Sequence, residues 1–443
     1  MTGTVDIRAG IKTIVPIFMS LAGSGFLAFL TQVLLGQSLT VEEFGLLSMA
    51  MSIVVIMSGV IGFGMPSVWL LIFGQEGLGG FPWIRRSFKF LALWGPLVLM
   101  IAWVILLGVY DDPRLLETIG WLQVMVVMQV LVELLIAKLQ VEARYGVLSI
   151  WQILPHLGRL IVAVEIYLST APTLEIVVKG YGIVSAFLIV ASGVGLLSLT
   201  PTRMRLSGYT SEKDPAQKLS RDDPSFKALL NLAWPYAGSA ALAMLYGRAD
   251  IVLLAALVSP SAAGQFAMAA TFLLVVFLIP QAIYQKFLSP KIHRWYYGDW
   301  PKFLSVYRLG CAVMTMLGVG CTVTMYLWGA SLVSVFFGDK YGQSGHILSL
   351  LSACIVLRFV SSSVESALMS REFGKYRLYC QVMSTCIGVS SAYVLIVHYG
   401  ITGAIWSRII TECSLLVGYV YVSSRYVLGE HIWPSWSLKL HQE

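Results

Sequence analysis

Apolar runs long enough to cross a bilayer, parted by short polar breaks, follow one another along nearly the whole chain. A helix needs about 20 apolar residues to span a hydrocarbon core of roughly 30 Å. The pattern predicts spans near residues 12–36, 44–71, 87–109, 115–138, 147–168 and 176–199. A second set lies near 227–258, 263–286, 306–330, 345–368, 376–398 and 400–423. The runs are apolar on every face and lack the two-residue alternation of an outer-membrane strand, so a barrel is rejected. The expected fold is an all-α membrane protein with about twelve transmembrane helices in two pseudo-symmetric six-helix lobes.

Between the two sets lies one long polar stretch rich in charge, Pro and Ser, Pro201 to Lys227. It divides the chain into an N-terminal lobe over 1–200, a linker over 201–226 and a C-terminal lobe over 227–443. The loops on one side carry most of the basic residues, among them Arg85, Arg86, Lys89, Arg144, Lys286, Arg371, Lys375 and Arg377. The opposite set holds only Arg114, Lys179 and Lys340. Basic loops stay on the cytoplasmic side during insertion, so both termini and the linker are expected inside a bacterial inner membrane. Arg8 and Lys12 precede an apolar run too long for a secretory signal, and that run is read as the first span.

The second half repeats the first at an offset of 219. Pro16 falls on Pro235, Gly45 on Gly264, and Met49 and Ala50 on Met268 and Ala269. Each half has an even number of spans, so the repeats are parallel, and a cleft between lobes with alternating access follows. Pro16, Pro235 and Pro155 are the expected hinges, because a helix bends where an amide donor is missing.

Three stretches carry a family resemblance: QVLLGQSLTVEEFGLLSMAMSIV, its second-half partner GRADIVLLAALVSPSAAGQFAMAATFLL, and the closing GITGAIWSRIITECSLLVGYVYV. They resemble the helix–turn–helix opening and the last span of O-antigen-type polysaccharide flippases. That superfamily also includes multidrug and toxin extruders and the peptidoglycan-precursor flippase. The resemblance implies export of an undecaprenyl-pyrophosphate-linked oligosaccharide to the periplasmic leaflet. It implies as partners this glycolipid, membrane lipids, a polysaccharide polymerase and glycosyltransferases.

Charges within spans are costly, about 3 kcal/mol each at the bilayer centre, and so face a cavity or a partner. Arg159, Arg248, Arg358 and Arg408 are the candidate substrate-binding cations, since a guanidinium pairs bidentately with phosphate. Glu133, Asp250, Glu365 and Glu412 are the candidate coupling carboxylates for H⁺ or Na⁺. For Arg408 and Glu412 the i, i+4 spacing also fits an internal ion pair. Arg358 precedes Ser361, Ser362 and Ser363, a patch that either lines a cavity or bridges helices. Glu165 and Lys179 lie near outer ends and snorkel.

The composition agrees: 57% hydrophobic, 12% charged and a mean hydropathy of +0.79, which leaves no sizeable soluble domain. The formal charge of +7 resides in the cytoplasmic loops and gives no reason to expect a nucleic-acid partner. The six cysteines have no metal-type spacing, and neither a disulfide nor a metal site is expected. No phosphate loop, dinucleotide fingerprint or HExxH occurs, so no enzyme activity or cofactor is expected beyond a coupling ion. A cation-coupled multidrug extruder and a membrane glycolipid polymerase or transferase stand as alternatives.

Overall fold

A computed structural model describes residues 7–109, 112–199, 224–288, 299–369 and 373–428, with side chains from Met19 onward in the first helix. The side chain of Pro16, most of the linker and Arg371 lie outside the described residues.

The first half comprises α1 (Ile7–Ser38), α2 (Val41–Gly62), α3 (Met65–Glu76), α4 (Phe81–Val109), α5 (Pro113–Val141), α6 (Tyr145–Leu168) and α7 (Leu174–Leu197). The second comprises α8 (Phe226–Leu257), α9 (Pro260–Pro280), α10 (Trp300–Phe337), α11 (Gly342–Leu351), α12 (Ala353–Glu365) and α13 (Gly374–Val422). Nine runs among the described residues are long and apolar enough to cross a membrane, ten with a pair bent by 42° between Leu351 and Ala353. Two of them are too long for one crossing. Val41–Gly108 has 68 residues and Gly374–Leu428 has 55, roughly 100 and 80 Å if straight. Each therefore holds two crossings, which gives the twelve of an all-α multi-pass membrane protein.

The breaks have local causes. The predicted span 44–71 is split, because Phe63 (φ 47°) and Gly64 (φ 64°) both take left-handed backbone and end α2 in mid-span. Gly64 lies so close to α8 that an added Cβ would come within 2.6 Å of the Tyr236 backbone. Phe63 packs edge-on against Phe90 and Trp94, and Trp94 Nε1 donates to the Val60 carbonyl at 3.0 Å. In α13 the reversal falls at Gly400 (φ 56°, ψ −130°), between the predicted spans 376–398 and 400–423. The two arms are tied by Ser384 Oγ donating to Thr411 O at 2.8 Å and Ser407 Oγ donating to Gly388 O at 3.2 Å. At Pro155 and Pro235, by contrast, the helices run on without interruption.

The repeat extends to helix ends. Adding 219 to the bounds of α1 gives 226 and 257, the bounds of α8, and the starts of α2 and α4 fall on those of α9 and α10. The caps coincide as well: Thr40 accepts from Glu43 N, and Ser259 accepts from Ala262 N. Met49, Ala50, Met268 and Ala269 are all fully buried.

The chain forms two compact units, Met1–Arg248 and Ala249–Glu443. In the first, α1 packs along α6, and α5 packs against α2, α3 and α7. Lys138, buried on α5, donates to Gly195 O at 2.8 Å and to Ser198 Oγ, which closes the C-terminal end of α7. In the second, α10 packs on α11 and α12, and α12 on α13.

Candidate functional site

Within the first unit, α2, α5, α6 and Met244 of α8 surround a hollow of about 210 Å³. Gly59 sets the width on one side: an added Cβ would reach within 2.9 Å of Met244 on α8. Ser58, Gln129, Glu133, Trp151, Gln152, His156 and Arg159 supply its polar and aromatic wall. Gln152 is held from behind, where Ser20 Oγ donates to its Oε1 at 2.6 Å and Ser24 Oγ donates to its carbonyl at 3.2 Å.

Arg159 lies near the middle of α6. Its Nε donates to Pro155 O at 3.2 Å, and its Nη2 donates to His156 Nδ1 at 3.0 Å. The imidazole then accepts at Nδ1 and carries its proton on Nε2, so it is neutral. Neither Arg159 nor Glu133 makes an ion pair among the described residues. Glu133 is exposed within this hollow, with a carboxylate oxygen beside Gly62 at the end of α2. Two groups of opposite sign thus share one hollow without neutralising each other. In hydrocarbon such groups are retained where they meet something else.

The second unit arranges its charges the opposite way. Glu412 is completely buried, with one carboxylate oxygen 3.9 Å from Arg358 Nη1 and the other 3.8 Å from Arg408 Nε. Arg408 Nη1 also donates to Asp250 Oδ2 at 3.4 Å. Two guanidinium groups and two carboxylates sum to zero charge, which is how buried ions are tolerated. Sequence spacing brought out the Arg408–Glu412 pair but not the two members from α8 and α12. Ser361 and Ser362 both donate to the Arg358 carbonyl, so the serine patch is turned back on its own helix.

Glu365 stands apart, 2.7 Å from Arg377 Nε at the head of α13. Arg248 is half-buried on α8, one turn beyond Met244 of the hollow, and Asp250 faces Arg408 instead. Lys179 pairs with Glu175 and lies over the Trp121 ring at 5.9 Å. Six of the eight charged candidates therefore fall into two groups, Arg159 with Glu133 and Arg358 with Arg408, Asp250 and Glu412. Sequence reasoning missed Gln129, Ser58, His156 as a partner, and Gln152. The signal available for Gln129 was its place one turn before Glu133.

No family model matches the chain. A curated relative, the capsular polysaccharide biosynthesis protein CapF of Staphylococcus aureus, is 29% identical over 205 residues, 45% of this chain and 50% of that protein. Among solved structures, the lipid II flippase MurJ in an inward closed conformation matches with a TM-score of 0.70 at 12% identity, over 92% of this chain and 87% of its own. An inward-facing MATE family multidrug resistance transporter of the MOP superfamily matches with a TM-score of 0.67 at 14% identity, over 90% and 94%. The MATE multidrug transporter DinF-BH also scores 0.67 at 16% identity, over 96% and 97%. The chain has the fold of these transporters.

Proposed function

We propose that this protein is a flippase. It carries an undecaprenyl-pyrophosphate-linked oligosaccharide from the cytoplasmic to the periplasmic leaflet of the bacterial inner membrane by alternating access, drawing on an ion gradient. The observation that carries this reading is Arg159, a mid-membrane guanidinium that opens into a hollow and lacks a carboxylate partner among the described residues. A planar, permanently charged donor suits a diphosphate, and Gln152 beside it suits a sugar hydroxyl. The fold of lipid and drug transporters and the capsular-polysaccharide relative support the same class of substrate. Both termini and the linker face the cytoplasm in this reading, where glycosyltransferases build the glycolipid, and a polymerase receives it on the other side. Arg159→Ala is expected to abolish surface polysaccharide while membrane protein levels stay normal. Arg159→Lys is expected to restore part of it. Normal surface polysaccharide in Arg159→Ala cells overturns the proposal.

A second reading, a cation-coupled multidrug extruder, draws on Glu133, a carboxylate without an ion-pair partner in the same hollow. The sequence offers no acid between Ile14 and Val41 to assist it. Resistance to lipophilic cations that falls in Glu133→Gln cells, with surface polysaccharide unchanged, decides for the extruder.

A further inference from the structure

The free face of the α13 hairpin carries one pattern twice. On the first arm Lys375, Tyr379 and Met383 follow one another at i, i+4 spacing and so form a single stripe. On the second arm Arg425, Tyr421 and Val417 do the same in the opposite chain direction. All six are exposed, the two tyrosines by 61% and 64%. The arms run antiparallel, since Ser384 bonds to Thr411, Gly418 packs on Cys380, and the rings of Tyr376 and Tyr426 stack at 4.6 Å. Both stripes therefore read cation, phenol, hydrocarbon from the same end of the hairpin. Lys375 and Arg425 each precede one of the stacked tyrosines, and on antiparallel helices this turns both cations to the same side. Nothing there neutralises them. Neither makes an ion pair among the described residues, whereas neighbouring Arg377 is held by Glu365 at 2.7 Å. Lys375 Nζ lies only over the Tyr376 ring, at 5.1 Å.

Two like charges side by side call for an anion, and the groups beneath them say which kind. Each i, i+4 step descends about 6 Å along the helix, so the phenols lie one turn below the cations and the apolar side chains one turn below the phenols. That is the order of a phospholipid from phosphate through glycerol to acyl chain, and tyrosine is favoured at the middle level. We propose that this face of α13 binds one diacyl anionic phospholipid. Its phosphate is held between Lys375 and Arg425, the Tyr379 and Tyr421 hydroxyls donate to phosphate and ester oxygens, and the chains run down past Met383 and Val417. Free phosphate would leave the apolar half of the pattern without a use. Two parallel stripes match two acyl chains rather than the single chain of a polyprenyl lipid. The end concerned is the one that the basic loops mark as cytoplasmic, the leaflet in which anionic lipids attract Lys and Arg.

The test uses the full-length protein in detergent, with bound lipid counted by native mass spectrometry. It is titrated with dioleoylphosphatidylglycerol and with dioleoylphosphatidylcholine, which has the same chains but no net charge. One phosphatidylglycerol is expected to bind well above phosphatidylcholine, and glycerol 3-phosphate, a phosphate without chains, should not displace it. Lys375→Gln and Arg425→Gln should each weaken phosphatidylglycerol binding about fivefold, the worth of one basic side chain at an anionic lipid surface, and the double variant about twenty-five-fold. Tyr379→Leu combined with Tyr421→Leu keeps both charges and should weaken it about threefold or more. Arg85→Gln removes an exposed cation of α4 in the other unit and should bind as the parent does. Equal binding of the two lipids overturns the proposal, as does undiminished binding in the Lys375→Gln, Arg425→Gln double variant. An equal loss in Arg85→Gln also overturns it, in favour of diffuse charge. Displacement of phosphatidylglycerol by an equal concentration of undecaprenyl phosphate overturns it in favour of a single-chain lipid. The readout is lipid binding, so its failure leaves the flippase reading standing.

Discussion

Arg159 donates to Nδ1 of His156 from one turn further along α6, at 3.0 Å. That hydrogen bond fixes both the tautomer of the ring and the direction of the guanidinium, so His156 acts as a positioning residue for Arg159. Replacing it with Leu removes the acceptor and leaves Pro155 O. Glycolipid translocation in cells is expected to fall about tenfold, the worth of one hydrogen bond to a charged group. His156→Asn keeps an acceptor in place and should recover most of the rate. A merely space-filling role predicts the reverse order, with Leu tolerated better than Asn.

In the second unit Glu412 holds two arginines at once. Glu412→Gln leaves three charges with a net excess of one in a buried place, and should lower stability by about 3 to 5 kcal/mol. Adding Arg358→Met restores neutrality and should recover a large part of that loss. Unfolding of the single and double variants in detergent measures the coupling directly. Additive losses would mean that Arg358 and Glu412 do not act on each other.

Gly64 and Gly320 make a matched comparison. Gly64 combines φ 64° with a Cβ position 2.6 Å from the Tyr236 backbone, whereas a Cβ on Gly320 meets nothing within 4 Å. Gly64→Ala should cost about 3 kcal/mol or more through strain and overlap together. Gly320→Ala should be neutral or stabilising by up to about 1 kcal/mol. Thermal unfolding of the two purified variants checks the contrast.

Thr40 and Ser259 cap equivalent helices at positions 219 apart. Alanine at either is expected to cost about 1 kcal/mol. Thr40→Ala should be the more costly, because the Thr40 hydroxyl also donates to Glu43 Oε2 at 2.8 Å, the oxygen that accepts from the Thr40 amide. Chemical denaturation of each single variant resolves the difference.

The crossings were readable in the sequence because lipid allows only long apolar helices to span it, and α1–α2 and α8–α9 show the repeat through Pro, Gly and buried Met at fixed spacing. The split at Phe63 was not readable. A left-handed Phe is unusual, and the apolar run continues across it, so hydropathy passes over the break. Pro155 and Pro235 leave their helices unbroken, since a helix packed on its neighbours absorbs a missing donor without parting. At the site, the charged residues were conspicuous because charge is rare in the spans. Their partners were not, for Asp250 meets Arg408 across 158 positions of sequence. Gln129 and Ser58 stayed hidden because neutral polar side chains are common in membrane helices and only their unspent lone pairs single them out.

The paired helices α1 and α8, whose ends coincide, carry unlike residues along their length: Phe29 and Thr31 stand where Arg248 and Asp250 stand 219 positions later. Duplication has left a common frame and private chemistry. Damage to the frame in one half therefore has a twin in the other on which it can be repeated, whereas a change of charge is a unique event with no copy to fall back on.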